Sequence, residues 1–166
     1  MDGTGRLIVM RHAKAGELPG GPDFERALKP RGRRDSAAAG EWLRAGGYQP
    51  DAVLCSAARR TRQTWQYVSE TLGGEASLAA EERLYGADVD ELIQVIRETG
   101  AAVGTLMYAG HNPAAAELVS VLSGEVLHFP TAAVAVIGVP GAWADLGPDD
   151  GELLASWTPA KGPPDD

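Results

Sequence analysis

Residues 7–10 (LIVM) are apolar at every position, and that continuity constrains the fold more than any other feature of the chain. A strand with one wet face alternates apolar and polar residues, whereas a run that is apolar throughout is buried on both faces. Further strand-sized, mostly apolar runs follow at 51–55 (DAVLC), 103–110 (VGTLMYAG) and 131–140 (TAAVAVIGVP). Between them lie longer segments with helical character. Residues 31–47 gather Ala, Trp and Leu on one side and stop at Gly46-Gly47, and residues 61–74 end at two glycines. Residues 88–100 space Val89, Leu92, Ile93 and Ile96 at a helical period, and 113–124 open with Pro113 in a first turn. Strand alternating with helix predicts an α/β three-layer sandwich, a largely parallel central sheet with helices on both faces. The final pair, 131–140 and 152–158, is expected to add an antiparallel edge. A length of 166 residues suits one domain. We expect that domain over 1–160, with 161–166 as a flexible tail.

Charge and composition remove several function classes. The net charge of −8 is opposite to the basic footprint of a nucleic-acid binder, so no nucleic-acid partner is expected. No run approaches a membrane span, and the N-terminus lacks the cationic and long apolar regions of a signal peptide. A cytoplasmic protein with no membrane partner is the expectation. The single cysteine, Cys55, reads as a small apolar residue ending a strand. The basic residues are nevertheless uneven. Arg26, Lys29, Arg31, Arg33 and Arg34 form one cluster, and Arg59, Arg60 and Arg62 another. Each suits either a solvated helix start or the rim of a positive cleft on an acidic body.

In parallel sheets, ligands bind beyond the carboxyl ends of the strands. Arg11 and His12 follow the first strand, Ser56, Arg59 and Arg60 the second, and Gly110, His111 and Asn112 the third. Parallel topology therefore brings two of the three histidines and several arginines to one end of the sheet. That set fits phosphoryl chemistry. Arg offers planar, always-charged donors for phosphoryl oxygens, and imidazole can attack phosphorus and carry the group covalently. There is no GxxxxGK[ST] or GxGxxG loop, no GxSxG elbow and no clustered metal-ligand pattern. No cofactor and no metal are expected.

The segment LIVMRHAKAG resembles the Arg-His-Gly/Ala signature of the histidine phosphatase (phosphoglycerate mutase-like) superfamily. It has the Arg-His-Ala form of the small SixA-type phosphohistidine phosphatases. CSAARRTRQT is similar to the family's SPxxRAxQT, with Ala57 in place of the Pro. YAGHNP resembles its second-histidine segment, and DFERALKPRGRRDSAAAG the SixA-like D-x-x-R-x-L-x-x-x-G stretch, with Lys29 where Thr or Ser is usual. These segments span residues 7–113 in the family's order. The resemblance implies that His12 is the nucleophile, that Arg11 and Arg60 clamp the phosphoryl group, and that His111 donates to it. Arg60 rather than Arg59 is implied, because the family's Arg lies four residues after the Ser. Ser56 is expected to shape the turn rather than react, and it joins Arg26 as a substrate-binding candidate. EERLYG is similar to the mutase branch's ERxYG, which makes Glu82 the candidate proton donor. His128 matches no catalytic position and is expected to be structural. The implied activity is a metal-independent phosphatase acting on protein phosphohistidine. A broad small-molecule phosphomonoesterase or mutase-like enzyme, and a non-catalytic phospho-binding module, stay open at this point.

Overall fold

The computed structural model describes residues 5–160. Strands β1 (Gly5–Arg11), β2 (Ala52–Ser56), β3 (Ser77–Glu81), β4 (Thr105–Gly110), β5 (Val134–Val139) and β6 (Glu152–Trp157) make one sheet. Their spatial order is β3-β2-β4-β1-β5-β6. β1, β2, β3 and β4 pair in parallel, and β5 pairs antiparallel with both β1 and β6, which gives the expected antiparallel edge. Helices α1 (Pro30–Ala45), α2 (Arg59–Leu72), α3 (Val89–Arg97) and α4 (Ala114–Ser123) cover the sheet. None of the described helices is long and apolar enough to cross a membrane.

The unbroken apolar run of β1 has the cause its sequence suggests. Leu7 and Val9 join one core with α3 and α4, through Leu92, Ile96, Leu118 and Leu122. Ile8 and Met10 join a second core with α1 and α2, through Ala39, Leu43, Trp65 and Val68. Successive side chains point to opposite faces of a strand, so a strand between two helix layers must be apolar at every step. At the start of α3, Asp88 accepts a hydrogen bond from Glu91 N–H (2.8 Å), and the Glu91 side chain accepts one from Asp88 N–H (3.1 Å). This reciprocal cap fixes where the loop after β3 ends.

The sheet exceeds the sequence expectation by one strand, β3. Its residues, SLAAE, are exposed or half-buried because it is the outermost strand beside β2. The expected flexible tail, 161–166, lies outside the described residues. What matters for the site is register. Arg11 stands opposite Gly110 on β4, and Cys55 on β2 stands opposite Ala109. The residues that follow, His12, Ser56 and His111, therefore leave the sheet at one level.

Candidate active site

At that level lies a cleft of about 390 Å³ lined by Arg11, His12, Asp23, Arg60, Tyr85, Gly86, His111 and Asn112. Clefts of similar volume, about 460 and 380 Å³, lie at the opposite end of the parallel strands. They are lined mainly by Gly, Ala, Pro and Val with two or fewer carboxylates each. Size does not distinguish the site; the chemistry of its lining does.

His12 sits at the floor, 9% exposed. Its Nδ1 lies 2.8 Å from Ala13 O. A carbonyl can only accept, so Nδ1 carries the proton and Nε2 keeps its lone pair. Burial pushes the His12 pKa down to about 3 against the opposing hydrogen bond to Ala13 O, and the neighbouring His111, Arg60 and Arg11 add to the fall. The ring is therefore neutral near pH 7, the state a nucleophile needs. Ala13 N–H in turn donates to Thr64 Oγ1 (3.0 Å), which ties the loop that follows His12 to α2.

Two arginines flank it. Arg11 Nη1 donates to Phe129 O (3.2 Å), and desolvation lowers the guanidinium's pKa without removing its charge. Arg60 is 7% exposed on the first turn of α2, whereas Arg59 faces solvent. Arg60 Nη1 donates to Asp23 O (2.9 Å) and Nη2 to Asp23 Oδ2 (3.1 Å). The Nε atoms of both arginines are buried and meet no acceptor in the protein. Orphaned donors of this kind cost free energy, and an anion seated in the cleft is the partner that would offset it.

His111 packs edge-on to His12, with ring centroids 5.3 Å apart. Its Nε2 lies 2.8 Å from Ser56 Oγ, which is fully buried and accepts from Ala58 N–H (3.3 Å). With Nε2 engaged by Ser56, Nδ1 is the nitrogen left to serve a ligand. Burial lowers the His111 pKa to about 4, with Arg60 adding to the fall and Asp23 opposing it. Ser56 thus orients a histidine from beneath and does not line the cleft. Its bond to His111 spans 55 residues and has no local sequence signal.

The remaining candidates stand apart. Arg26 donates to Gly16 O (2.9 Å) and to Asp23 Oδ1 (3.0 Å), so it braces the loop after β1 and does not line the cleft. Glu82 is exposed on a short turn, Glu82–Leu84, and is also absent from the lining. Arg83 in the same turn pairs with Glu81 (3.0 Å) and Glu98 (2.8 Å) at the surface. His128, expected to be structural, is exposed and lies outside the cleft lining. Cys55 is fully buried, and desolvation raises its thiol to about 12, which keeps it an inert core residue.

Asp23, Tyr85 and Asn112 complete the lining. Asn112 Nδ2 donates to Phe129 O (2.9 Å), the carbonyl that Arg11 also uses, and its Oδ1 accepts from Ala116 N–H (3.2 Å) at the start of α4. The Tyr85 hydroxyl donates to Asp23 Oδ2 (2.6 Å). Among the described residues no group of three or more His, Cys, Asp or Glu side chains could hold a metal ion.

A family model described as the histidine phosphatase superfamily (branch 1) matches residues 7–102. The chain is 40% identical over 161 residues to an uncharacterized protein of Mycobacterium tuberculosis, covering 90% of this chain and 99% of that one. It is 35% identical over 164 residues to an uncharacterized protein of Mycobacterium leprae, again covering 90% and 99%. Among solved structures it is similar to the candidate phosphohistidine phosphatase SixA of Nakamurella multipartitia. That match has a TM-score of 0.86 and 32% identity, covering 95% of this chain and 98% of the other. The corresponding protein of Agrobacterium tumefaciens matches with a TM-score of 0.81 and 27% identity, covering 93% and 98%.

Proposed function

Because the chain belongs to the histidine phosphatase superfamily and is a phosphatase of that class, we propose that it removes phosphate from protein phosphohistidine, without a metal, through a phosphoryl group carried on His12. The observation that carries this reading is the neutral His12, its Nε2 lone pair free, between two arginines whose buried Nε donors meet no acceptor. The His12 Nε2 lone pair attacks phosphorus, and the bond from phosphorus to the substrate's nitrogen breaks with its electron pair left on the departing ring. Water then attacks phosphorus, the bond to Nε2 breaks, and inorganic phosphate leaves. Arg11, Arg60 and the Nδ1–H of His111 hold the equatorial oxygens in both steps, so the chemistry is mostly positioning and charge stabilisation.

Two features favour a nitrogen leaving group on a protein. The carboxylate lining the cleft, Asp23, is held ionised down to about pH 2, chiefly by the Tyr85 hydroxyl and then by Arg60, so it has no proton to give an alkoxide. An imidazole leaves as a far weaker base, with an ordinary pKa near 6.5. Moreover, the described chain carries no domain over the cleft, whose rim residues Asp23 and Tyr85 are exposed. Two structurally similar proteins are themselves described as candidate phosphohistidine phosphatases.

The test is a substrate panel in EDTA: a histidine-containing protein phosphorylated on its histidine, sugar phosphates and phosphoglycerates, compared by kcat/KM. We expect the phosphohistidine protein to lead, His12→Ala to abolish turnover, and wild-type enzyme quenched mid-reaction to carry acid-labile, base-stable phosphate on His12. Turnover of small phosphate esters alone would overturn the substrate class. Stable label on Ser56 with His12→Ala still active would overturn the nucleophile. Activity lost to chelation and restored by a divalent ion would overturn metal independence.

A further inference from the structure

Asp23 lines the cleft, yet the phosphoryl chemistry above does not use it. Placing a carboxylate there is a cost, since it faces the same pocket that must take a phosphate anion. Its surroundings show where in the pocket it stands. His12 and Arg60 are 9% and 7% exposed at the floor, whereas the Asp23 side chain is 48% exposed and Tyr85 38% exposed at the mouth. In an in-line displacement the leaving group departs opposite the attacking atom. With the nucleophile on the floor, the leaving group faces the mouth, where Asp23 and Tyr85 are.

The carboxylate is fixed in place. Tyr85 O–H and Arg60 Nη2 donate to Oδ2 (2.6 and 3.1 Å), and Arg26 Nη1 donates to Oδ1 (3.0 Å). Those bonds use three of the roughly four acceptor positions a carboxylate offers, and Oδ1 keeps one. The aromatic rings beside it stand edge to face. Tyr85 is 5.0 Å from Phe24 and 5.8 Å from His111, measured between ring centroids. The mouth thus offers one ionised acceptor framed by aromatic rings. It suits a planar ring bearing an N–H and repels an anionic leaving group.

Resting on the phosphohistidine reading above, we propose that Asp23 determines specificity by accepting a hydrogen bond from the protonated distal nitrogen of the substrate's phosphorylated imidazole. The electron balance shows why that proton matters. When the phosphorus–nitrogen bond breaks, its electron pair stays on the departing nitrogen. If the distal nitrogen carries a proton, the ring leaves as neutral imidazole; if it does not, the ring must leave as an imidazolate anion, a much stronger base. A fixed carboxylate favours the protonated ring and keeps it oriented. The other charged or titratable groups around Asp23 are Arg60 on α2, Tyr85 after β3, Arg26 on its own loop, and Arg11, His12 and His111 across the cleft. The arginines stay charged and the two histidines neutral over the range tested, so the pH-dependent partner is the substrate ring.

The test compares wild type, Asp23→Asn and Asp23→Glu on a phosphohistidine protein and on p-nitrophenyl phosphate between pH 5.5 and 9. The nitrophenolate leaving group needs no proton and offers no N–H, so with this substrate Asp23 can act only through its charge and its hold on Arg60. Asp23→Asn should lower kcat/KM on phosphohistidine by about tenfold or more, the usual weight of one charge-assisted hydrogen bond. It should also move the alkaline fall of that pH profile to lower pH. Any loss on p-nitrophenyl phosphate, through the weakened hold on Arg60, should be much smaller and should come with no shift of the alkaline limb, and Asp23→Glu should recover part of the phosphohistidine activity. Equal losses on both substrates would overturn the proposal and leave Asp23 as a brace for Arg60. Unchanged phosphohistidine kinetics in Asp23→Asn would also overturn it. A wild-type enzyme that turns over p-nitrophenyl phosphate but no phosphohistidine would instead overturn the functional reading beneath it.

Discussion

At the scale of single residues, one step along a helix separates a site residue from a surface one. Arg59 and Arg60 are adjacent and chemically identical. Successive helix positions turn by about 100°, so only one of them can face the cleft. Arg60 is buried there with Nε unpaired, while Arg59 is exposed. Removing one preorganised charge donor typically costs about 10²–10³ in rate, and an exposed surface side chain outside the site usually changes stability by no more than about 0.5 kcal/mol. Arg60→Ala should therefore lower kcat/KM on p-nitrophenyl phosphate by about two orders of magnitude or more, and Arg59→Ala by less than about threefold. Steady-state kinetics on the two variants decides it, and similar losses would mean that the start of α2 is rotated from the position described. The same resolution separates the two acidic candidates. Glu82 lies in a motif similar to an acid-bearing one and is exposed outside the cleft, while Asp23, quoted only as part of a loop pattern, lines it.

Among the elements, α1 and α2 pack so closely that the position of the second controls where Arg60 sits. A Cβ built on Gly40 of α1 would collide with Thr71 Oγ1 and with the backbone carbonyl of Val68 on α2. Thr71 Oγ1 already donates to Ala37 O (2.7 Å), so it is not free to move aside. Gly40→Val should force the helices apart at a cost of about 1–3 kcal/mol, which in a chain of this size lowers Tm by roughly 2–12 °C. Because α2 carries Arg60 and Thr64, activity should fall as well, and thermal melts with kinetics on the same variant test both. A variant as stable as wild type would show that the interface has slack. Elements of this kind were legible in the sequence, because each long periodic segment had its own glycine or proline stop. β3 was not, since an exposed edge strand of SLAAE buries no face and so carries neither an apolar run nor a strict alternation. The exits of β1, β2 and β4 were legible as site walls because parallel topology alone brings them together. The contacts of Asp23 with Arg60 and Tyr85 join residues 37 and 62 positions apart through irregular loops, and no periodicity encodes them.

For the molecule as a whole, the site draws on stability in a way that pH exposes. His12 and His111 are held neutral by burial, with pKa values near 3 and 4, against an ordinary value of about 6.5 in an unfolded chain. Above pH 6.5 both states leave these rings uncharged, and they make no difference. As pH falls below 6.5 the unfolded chain gains two protons that the native state refuses, so stability is lost until pH passes through about 4 and then 3. Two fully shifted groups give at most about 2.7 kcal/mol per pH unit over that window. Asp23 acts in the same direction but lower down: its contribution is present above the ordinary carboxylate range and is lost as pH drops toward 2. Thermal melts between pH 7.5 and 5.5 stay clear of the sequence pI of about 4.9, where association would intrude. They should be run without phosphate, since any anion that binds only the native state raises Tm by mass action. Wild type should hold its Tm from pH 7.5 to about 6.5 and lose it increasingly from there to pH 5.5, and a His12→Asn, His111→Asn double variant should lose markedly less. Parallel slopes would mean that the native rings take up protons near pH 6.5 after all. His12 would then be largely protonated at mildly acidic pH, and its proposed role as a ready nucleophile there would fall with it.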